Sequence, residues 1–110
     1  MGQKEIVISR SAEDFLKSLV QTLYDEEYFG FVESAEEYVN RIYGTIYNDL
    51  PNLTHHPTPP ELQRYGNYYV KLKANKQTMW YVFFDKKGHR YLIHFLTNNY
   101  SVQSAYLNKL

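Results

Sequence analysis

Tyr69, Lys71 and Lys73 recur at every second position of one short segment, with Lys76 a few residues further on. Side chains alternate between faces of an extended strand, so this spacing sets a phenol and two ammonium groups on one side. Such a surface suits nucleic acid, because ammonium groups pair with phosphates and aromatic rings stack on unpaired bases. The plainer reading is that Lys and Tyr dress the solvent side of an antiparallel sheet, where both are common.

His55-His56 is a second candidate, because imidazoles bind metals. Metal-binding pairs sit at i, i+4 on a helix or alternate along a strand, so that their nitrogens converge. Adjacent histidines in a segment holding Pro51, Pro57, Pro59 and Pro60 diverge, and no acid follows closely. They read as a solvated loop, and neither a metal nor a small-molecule cofactor is expected. His94 lies in an aromatic strand and reads equally well as a satisfied sheet histidine. Without cysteine the chain has no disulfide, thiolate metal site or thiol nucleophile. No Ser sits in a G-x-S-x-G elbow and the five glycines are scattered, which removes the standard hydrolase and phosphate-loop readings.

The elements that must position these groups follow from periodicity. Lys4–Ser9 is β-branched and reads as a strand. Ser11 offers an N-cap, with Glu13 and Asp14 in the first turn, where the helix dipole favours acids. Phe15, Leu16, Leu19, Val20 and Leu23 form the apolar stripe of that helix, which is expected to stop near Gly30. Ser34-Ala35-Glu36-Glu37 is a capping box that opens a second helix, with a stripe of Ala35, Tyr38, Val39, Ile42, Tyr43 and Ile46. Gly44 in its interior offers a close approach to the first helix, and Pro51 ends it. Two facing stripes on a short connection predict an antiparallel hairpin. Pro60 can open a brief helical turn through Arg64.

Strands follow at Tyr68–Lys73, Thr78–Phe84 and His89–Thr97, with turns at 74–77 and at Asp85–Gly88, and the tail from Ser101 offers a last helical turn or two. Thr78–Phe84 is apolar on both faces, as a central strand is. The fold class predicted is α+β, in the order β-α-α-β-β-β: a leading strand and an α-hairpin packed on a C-terminal antiparallel sheet.

At 110 residues this reads as a single domain over 1–110. Its start is charged, without the apolar run of a signal peptide, and no stretch approaches the roughly 20 apolar residues of a bilayer span. The expected address is cytoplasmic, with no membrane partner. The zero net charge hides a division. Residues 1–65 carry five Lys/Arg against eleven acids, a balance of −6, and residues 66–110 carry seven against one, a balance of +6. That asymmetry points either to a polyanionic partner on the basic half, or simply to Glu in helices and Lys on strand edges.

The order of elements resembles the RelE/ParE superfamily of bacterial toxins over nearly the whole chain. The likeness begins at Ile6-Val7-Ile8-Ser9 followed by Ser11-Ala12-Glu13-Asp14-Phe15, and continues through Leu62–Leu72 (LQRYGNYYVKL). Trp80–Phe84 and Tyr91–Thr97 are similar to the family's aromatic central strand and the strand after it. The resemblance implies a toxin held inactive by a partner antitoxin. RelE-like members cut messenger RNA in the ribosomal A site, and ParE-like members block DNA gyrase. It also implies catalytic roles for Lys71 and Lys73 as phosphate-neutralising cations, with His94 and Tyr100 moving protons. Tyr69, Lys71, Lys73 and Lys76 would bind the nucleic acid, and Tyr106 is an alternative to Tyr100. The chain departs from that pattern at Thr78 and at Asn99 or Tyr100, where a basic residue would stand. Losing a group that stabilises transition-state charge costs on the order of 100-fold or more. The implied function is therefore an RNA-directed toxin acting as a weak endoribonuclease, or else a non-catalytic binding module on the same scaffold or a gyrase inhibitor.

Overall fold

The computed structural model describes residues 4–25, 32–73 and 78–107. Strand β1 (Glu5–Ile8) leads into helices α1 (Arg10–Asp25) and α2 (Val32–Asn48), followed by a two-residue strand β2 (His56–Pro57) and strands β3 (Tyr68–Lys73), β4 (Met79–Lys87) and β5 (Arg90–Asn98). Short 3-10 turns occupy Leu50–Asn52, Pro60–Tyr65 and Val102–Tyr106. The sheet runs β1-β5-β4-β3-β2, with β1 parallel to β5 and every other pairing antiparallel. The fold is α+β with a mixed five-stranded sheet: the three C-terminal strands are antiparallel as expected, and β1, expected to pack on that sheet, instead joins it in parallel beside β5.

The cap of α1 is Ser9 rather than Ser11: the Ala12 N–H donates to Ser9 Oγ at 3.2 Å, and the helix starts two residues earlier than expected. Helix α2 likewise starts at Val32, two residues before the expected Ser34 cap. Both stripes face the sheet as the periodicity requires. Ala12, Leu16 and Leu19 of α1 and Ala35, Tyr38, Val39, Ile42 and Ile46 of α2 pack with Val70, Leu72, Trp80, Val82, Phe84, Tyr91, Ile93 and Leu96. Tyr43, late in α2, feels the charges of Glu13 and Lys17, early in α1, which is the antiparallel arrangement. Inside this core the Trp80 indole N–H donates to the Tyr38 hydroxyl at 2.7 Å, so the polar tip of a large buried ring is satisfied. A methyl group added at Gly44 would meet nothing within 4 Å, so that glycine marks no close helix approach.

Strand β4 is central and apolar on both faces. Tyr81 and Phe83 project away from the helices into a second, smaller core with Leu62, Tyr69 and Leu107, flanked by Tyr65, Met79 and Phe95. Two of the 3-10 turns, Pro60–Tyr65 and Val102–Tyr106, bring the covering residues to this face. Gly66 ends the first of them at φ 144°, and a Cβ there would stand 2.7 Å from the backbone nitrogen of Phe84. The β4–β5 hairpin is longer than the expected turn at Asp85–Gly88. Pairing continues to Lys87 opposite Arg90, and Gly88 turns the chain at φ 58°. The turn at 74–77 with Lys76, and the expected helix stop at Gly30, lie outside the described residues.

Two glycine substitutions separate strain from open space. Gly66→Ala is expected to destabilise the fold by about 2 kcal/mol or more, because it meets both a disfavoured φ and a backbone clash. Gly44→Ala, in an uncrowded helix interior, is expected to gain up to about 1 kcal/mol. Urea unfolding midpoints moving in opposite directions check the pair, and an unchanged midpoint for Gly66→Ala would refute the packing described.

Candidate functional site

Antiparallel register fixes the geometry of the basic surface. Tyr69, Lys71 and Lys73 stand opposite Phe83, Tyr81 and Met79, all of which belong to the core on the side away from the helices. Lys71 and Lys73 therefore share that face, with Cα atoms about 7 Å apart. Both are exposed, whereas Val70 and Leu72 between them are buried on the helix side.

The phenols do not share this exposure. Tyr69 is only 7% exposed, and its ring lies between His56 at 5.1 Å and Phe83 at 5.5 Å. Burial pushes its phenol above the usual value of 10.0, and Tyr81 pushes it further the same way. The expectation that Tyr69 offers a ring for base stacking is thus corrected: its ring is floor rather than platform. A continuous aromatic layer runs on from it through Phe83 and Phe95 to Tyr65, the last two stacked at 3.9 Å. The open face is paved, and the ammonium groups rise from its margin.

A third cation stands beside Lys73 at the sheet edge. Arg41 of α2 and Lys73 line one cavity of about 70 Å³ with Tyr38, Thr45 and Trp80. The Arg41 guanidinium lies 5.7 Å from the centre of the Tyr38 ring, a distance at which ring and cation attract. None of Lys71, Lys73 and Arg41 has an ion-pair partner among the described residues. Arg41 belongs to the acidic half of the sequence, and only the packing of α2 against β3 brings it here.

Other basic residues are placed elsewhere. Arg90 pairs with Glu5 at 3.0 Å, and Lys86 lies 5.5 Å over the Tyr91 ring. Lys87, at the hairpin end of β4, is six residues from Tyr81 in the Lys71 row, roughly 20 Å along the strand. The described cations of the +6 half are therefore distributed over the sheet and not gathered into one patch.

The structure separates His94, one of the two expected proton-transfer residues, from Lys71. His94 is the extra residue of a β-bulge, since Phe83 pairs with Phe95 and Phe84 with Ile93. Its Nε2 lies 3.0 Å from Asp85 Oδ2, and Oδ1 of the same carboxylate accepts the Asn67 N–H at 2.8 Å. Counting strands and residues sets His94 roughly 14 Å from Lys71, beyond the aromatic layer. Tyr100 is 66% exposed, one residue past Asn99. Asn99 exchanges hydrogen bonds with Met79: the Met79 N–H donates to Asn99 Oδ1 at 2.8 Å, and the Asn99 N–H donates to the Met79 carbonyl at 3.0 Å. Its side chain thus holds the end of the β4–β5 ladder.

His55 and His56 diverge as expected, but neither sits in a solvated loop. His55 Nε2 lies 3.2 Å from the Leu50 carbonyl oxygen, and its ring meets Phe84 and Tyr91 edge-on. His56 pairs with Tyr69 across β2 and β3 and lies nearly flat on its ring, with centroids 5.1 Å apart and planes at 28°. Partial burial lowers the His56 pKa from 6.5, and the charges of Lys71 and His55 lower it further. The nearest available signal in sequence was the Pro bracketing of His56, which marks an edge but not a pairing partner. No group of three or more metal-ligating side chains occurs among the described residues. The chain matches no protein-family model, no curated protein and no solved structure.

The electrostatics of His56 give a directional test. A folded-state pKa below the unfolded value makes the contribution to stability complete above about pH 6.5, and it is lost as pH falls through 6.5 towards the folded midpoint. In an NMR titration the His56 ring protons should show a midpoint below that of a free histidine, and Lys71→Ala should raise it. A midpoint unmoved by that substitution would show that the two groups do not interact.

Proposed function

We propose that this chain is the toxin-like component of a type II toxin–antitoxin pair, acting on RNA at the translating ribosome through the edge formed by Lys71, Lys73 and Arg41. The observation that supports it most is a set of exposed cations along β3, Lys71 and Lys73 at alternate positions on one face and Arg41 of α2 beside Lys73, none of them ion-paired among the described residues. Cations without internal carboxylate partners are free to replace the counterions of a phosphate backbone. The element order β-α-α, a short edge strand, then three adjoining antiparallel strands supports a RelE/ParE-like arrangement. Because the neighbouring rings are buried as flooring, the contact is with backbone phosphate more than with bases, and recognition follows shape and charge more than sequence. The partner antitoxin of such a pair would cover this rim.

Induction of the chain alone in bacteria is expected to arrest growth, and the double variant Lys71→Ala, Lys73→Ala is expected to relieve the arrest. For purified protein and single-stranded RNA, losing two phosphate contacts should flatten the slope of log affinity against log salt by about 1.4. Healthy growth on induction together with no measurable RNA binding would overturn the reading. Arrest with blocked DNA supercoiling and intact translation would move it to gyrase.

A further inference from the structure

We infer that His56 is the proton acceptor of this surface, taking the proton of an RNA 2′-hydroxyl while Lys71 holds the adjoining phosphate, so that the strand is cleaved. This rests on the RNA-directed reading above.

The pairing of β2 with β3 places His56 directly opposite Tyr69, on the face from which Lys71 also projects. Lys71 is the diagonal neighbour of His56, a position that puts Cα atoms roughly 7–8 Å apart. A phosphate and the sugar beside it fit between an imidazole and an ammonium at that separation. Stacking on Tyr69 fixes the plane of the His56 ring, while neither ring nitrogen has a hydrogen-bond partner among the described residues. A half-buried imidazole with both nitrogens unclaimed is set in orientation and open for a ligand. The groups that act on it electrostatically are Lys71 from β3 and His55 from its own segment, and no carboxylate among the described residues does so. Burial and both neighbours favour the neutral ring, which is the form that accepts a proton at neutral pH.

In the reaction the 2′-oxygen forms a bond to phosphorus as its proton passes to His56. The bond from phosphorus to the 5′-oxygen breaks, and that oxygen takes a proton from water. The hydroxide left is neutralised by the proton that the imidazolium returns. The products are a 2′,3′-cyclic phosphate and a 5′-hydroxyl end, with no co-reactant beyond water. Lys71 offsets the charge that gathers on the phosphate oxygens.

The test uses the full chain with ribosome-bound message and with a single-stranded RNA oligomer, scoring both retention and cleavage ends. His56→Ala is expected to retain RNA like the parent and to cleave at least about 100-fold more slowly. Added imidazole should restore part of that rate, which a merely structural role of the residue would not allow. His56→Phe keeps a ring on Tyr69 and guards against loss through misfolding: it too should retain RNA without cleaving, and imidazole should not rescue it. The parent's rate should climb with pH through a midpoint below pH 6.5. Unimpaired cleavage by His56→Phe, or failure of imidazole to rescue a folded His56→Ala, would overturn the assignment. A parent chain that retains RNA but leaves it whole would overturn it too, while sparing the RNA reading. A parent chain that neither retains RNA nor arrests growth would remove both.

Discussion

Everything else in this fold depends on β4 being buried from both sides at once. Trp80, Val82 and Phe84 face the helices, while Tyr81 and Phe83 face the 3-10 turns, and all five are 3% exposed or less. A strand with no solvent face cannot sit at an edge, so β3 and β5 must flank it, and both faces must be covered by other parts of the chain. Helices α1 and α2 cover one face through their apolar stripes. Among the described residues no α-helix covers the other face, and two short 3-10 segments do so with Leu62, Tyr65 and Leu107. Fully burying each large ring contributes roughly 1.5–3 kcal/mol, so this small second core is a substantial share of the net stability of a domain of this size.

That covering decides which groups remain for outside partners. The second core takes up the phenyl and phenol rings of the open face, from His56 and Tyr69 through Phe83 to Tyr65. What remains at the margin is charge: Lys71 and Lys73 beyond the reach of the 3-10 turns, and Arg41 rising from the helix behind. Exposed ammonium groups above a desolvated aromatic floor make a surface that attracts anions without offering many base contacts. Such electrostatic contacts are screened by salt over about 10 Å at 0.1 M, so their strength depends on ionic conditions.

The legible parts of the fold were those with a clean period. Tyr68–Lys73 matches its predicted span because strict alternation of apolar and polar residues leaves one register. The two helical stripes were equally readable, since Leu16, Leu19, Val39, Ile42 and Ile46 recur at helical spacing. Three features carried no such signal. Strand β2 is two residues long and contains a proline, so it looks like loop until its partner is known. The 3-10 turns have no amphipathic period, which hid the cover over Tyr69 and made its ring look available. The bulge at His94 shifts register by one residue, and no pattern in HRYLIHFLT announces it. For the candidate site, the shared face of Lys71 and Lys73 was readable, whereas the arrival of Arg41 and His56 depends on packing between distant segments.

The brevity of β2 leaves β3 mostly without an outer neighbour. Among the described residues only Tyr68 and Tyr69 are paired on that side, so from Val70 to Lys73 the strand turns backbone donors and acceptors outward. A bare flank of this kind is a template on which a second molecule of the same chain can add a strand. Like charges at alternate residues oppose that, because two copies brought flank to flank would bring their lysines together. The ammonium groups therefore keep the molecules apart as well as giving them something to hold. A long polyanion that neutralised them would also remove the repulsion between copies, so occupancy of the rim and self-association of the protein are physically linked.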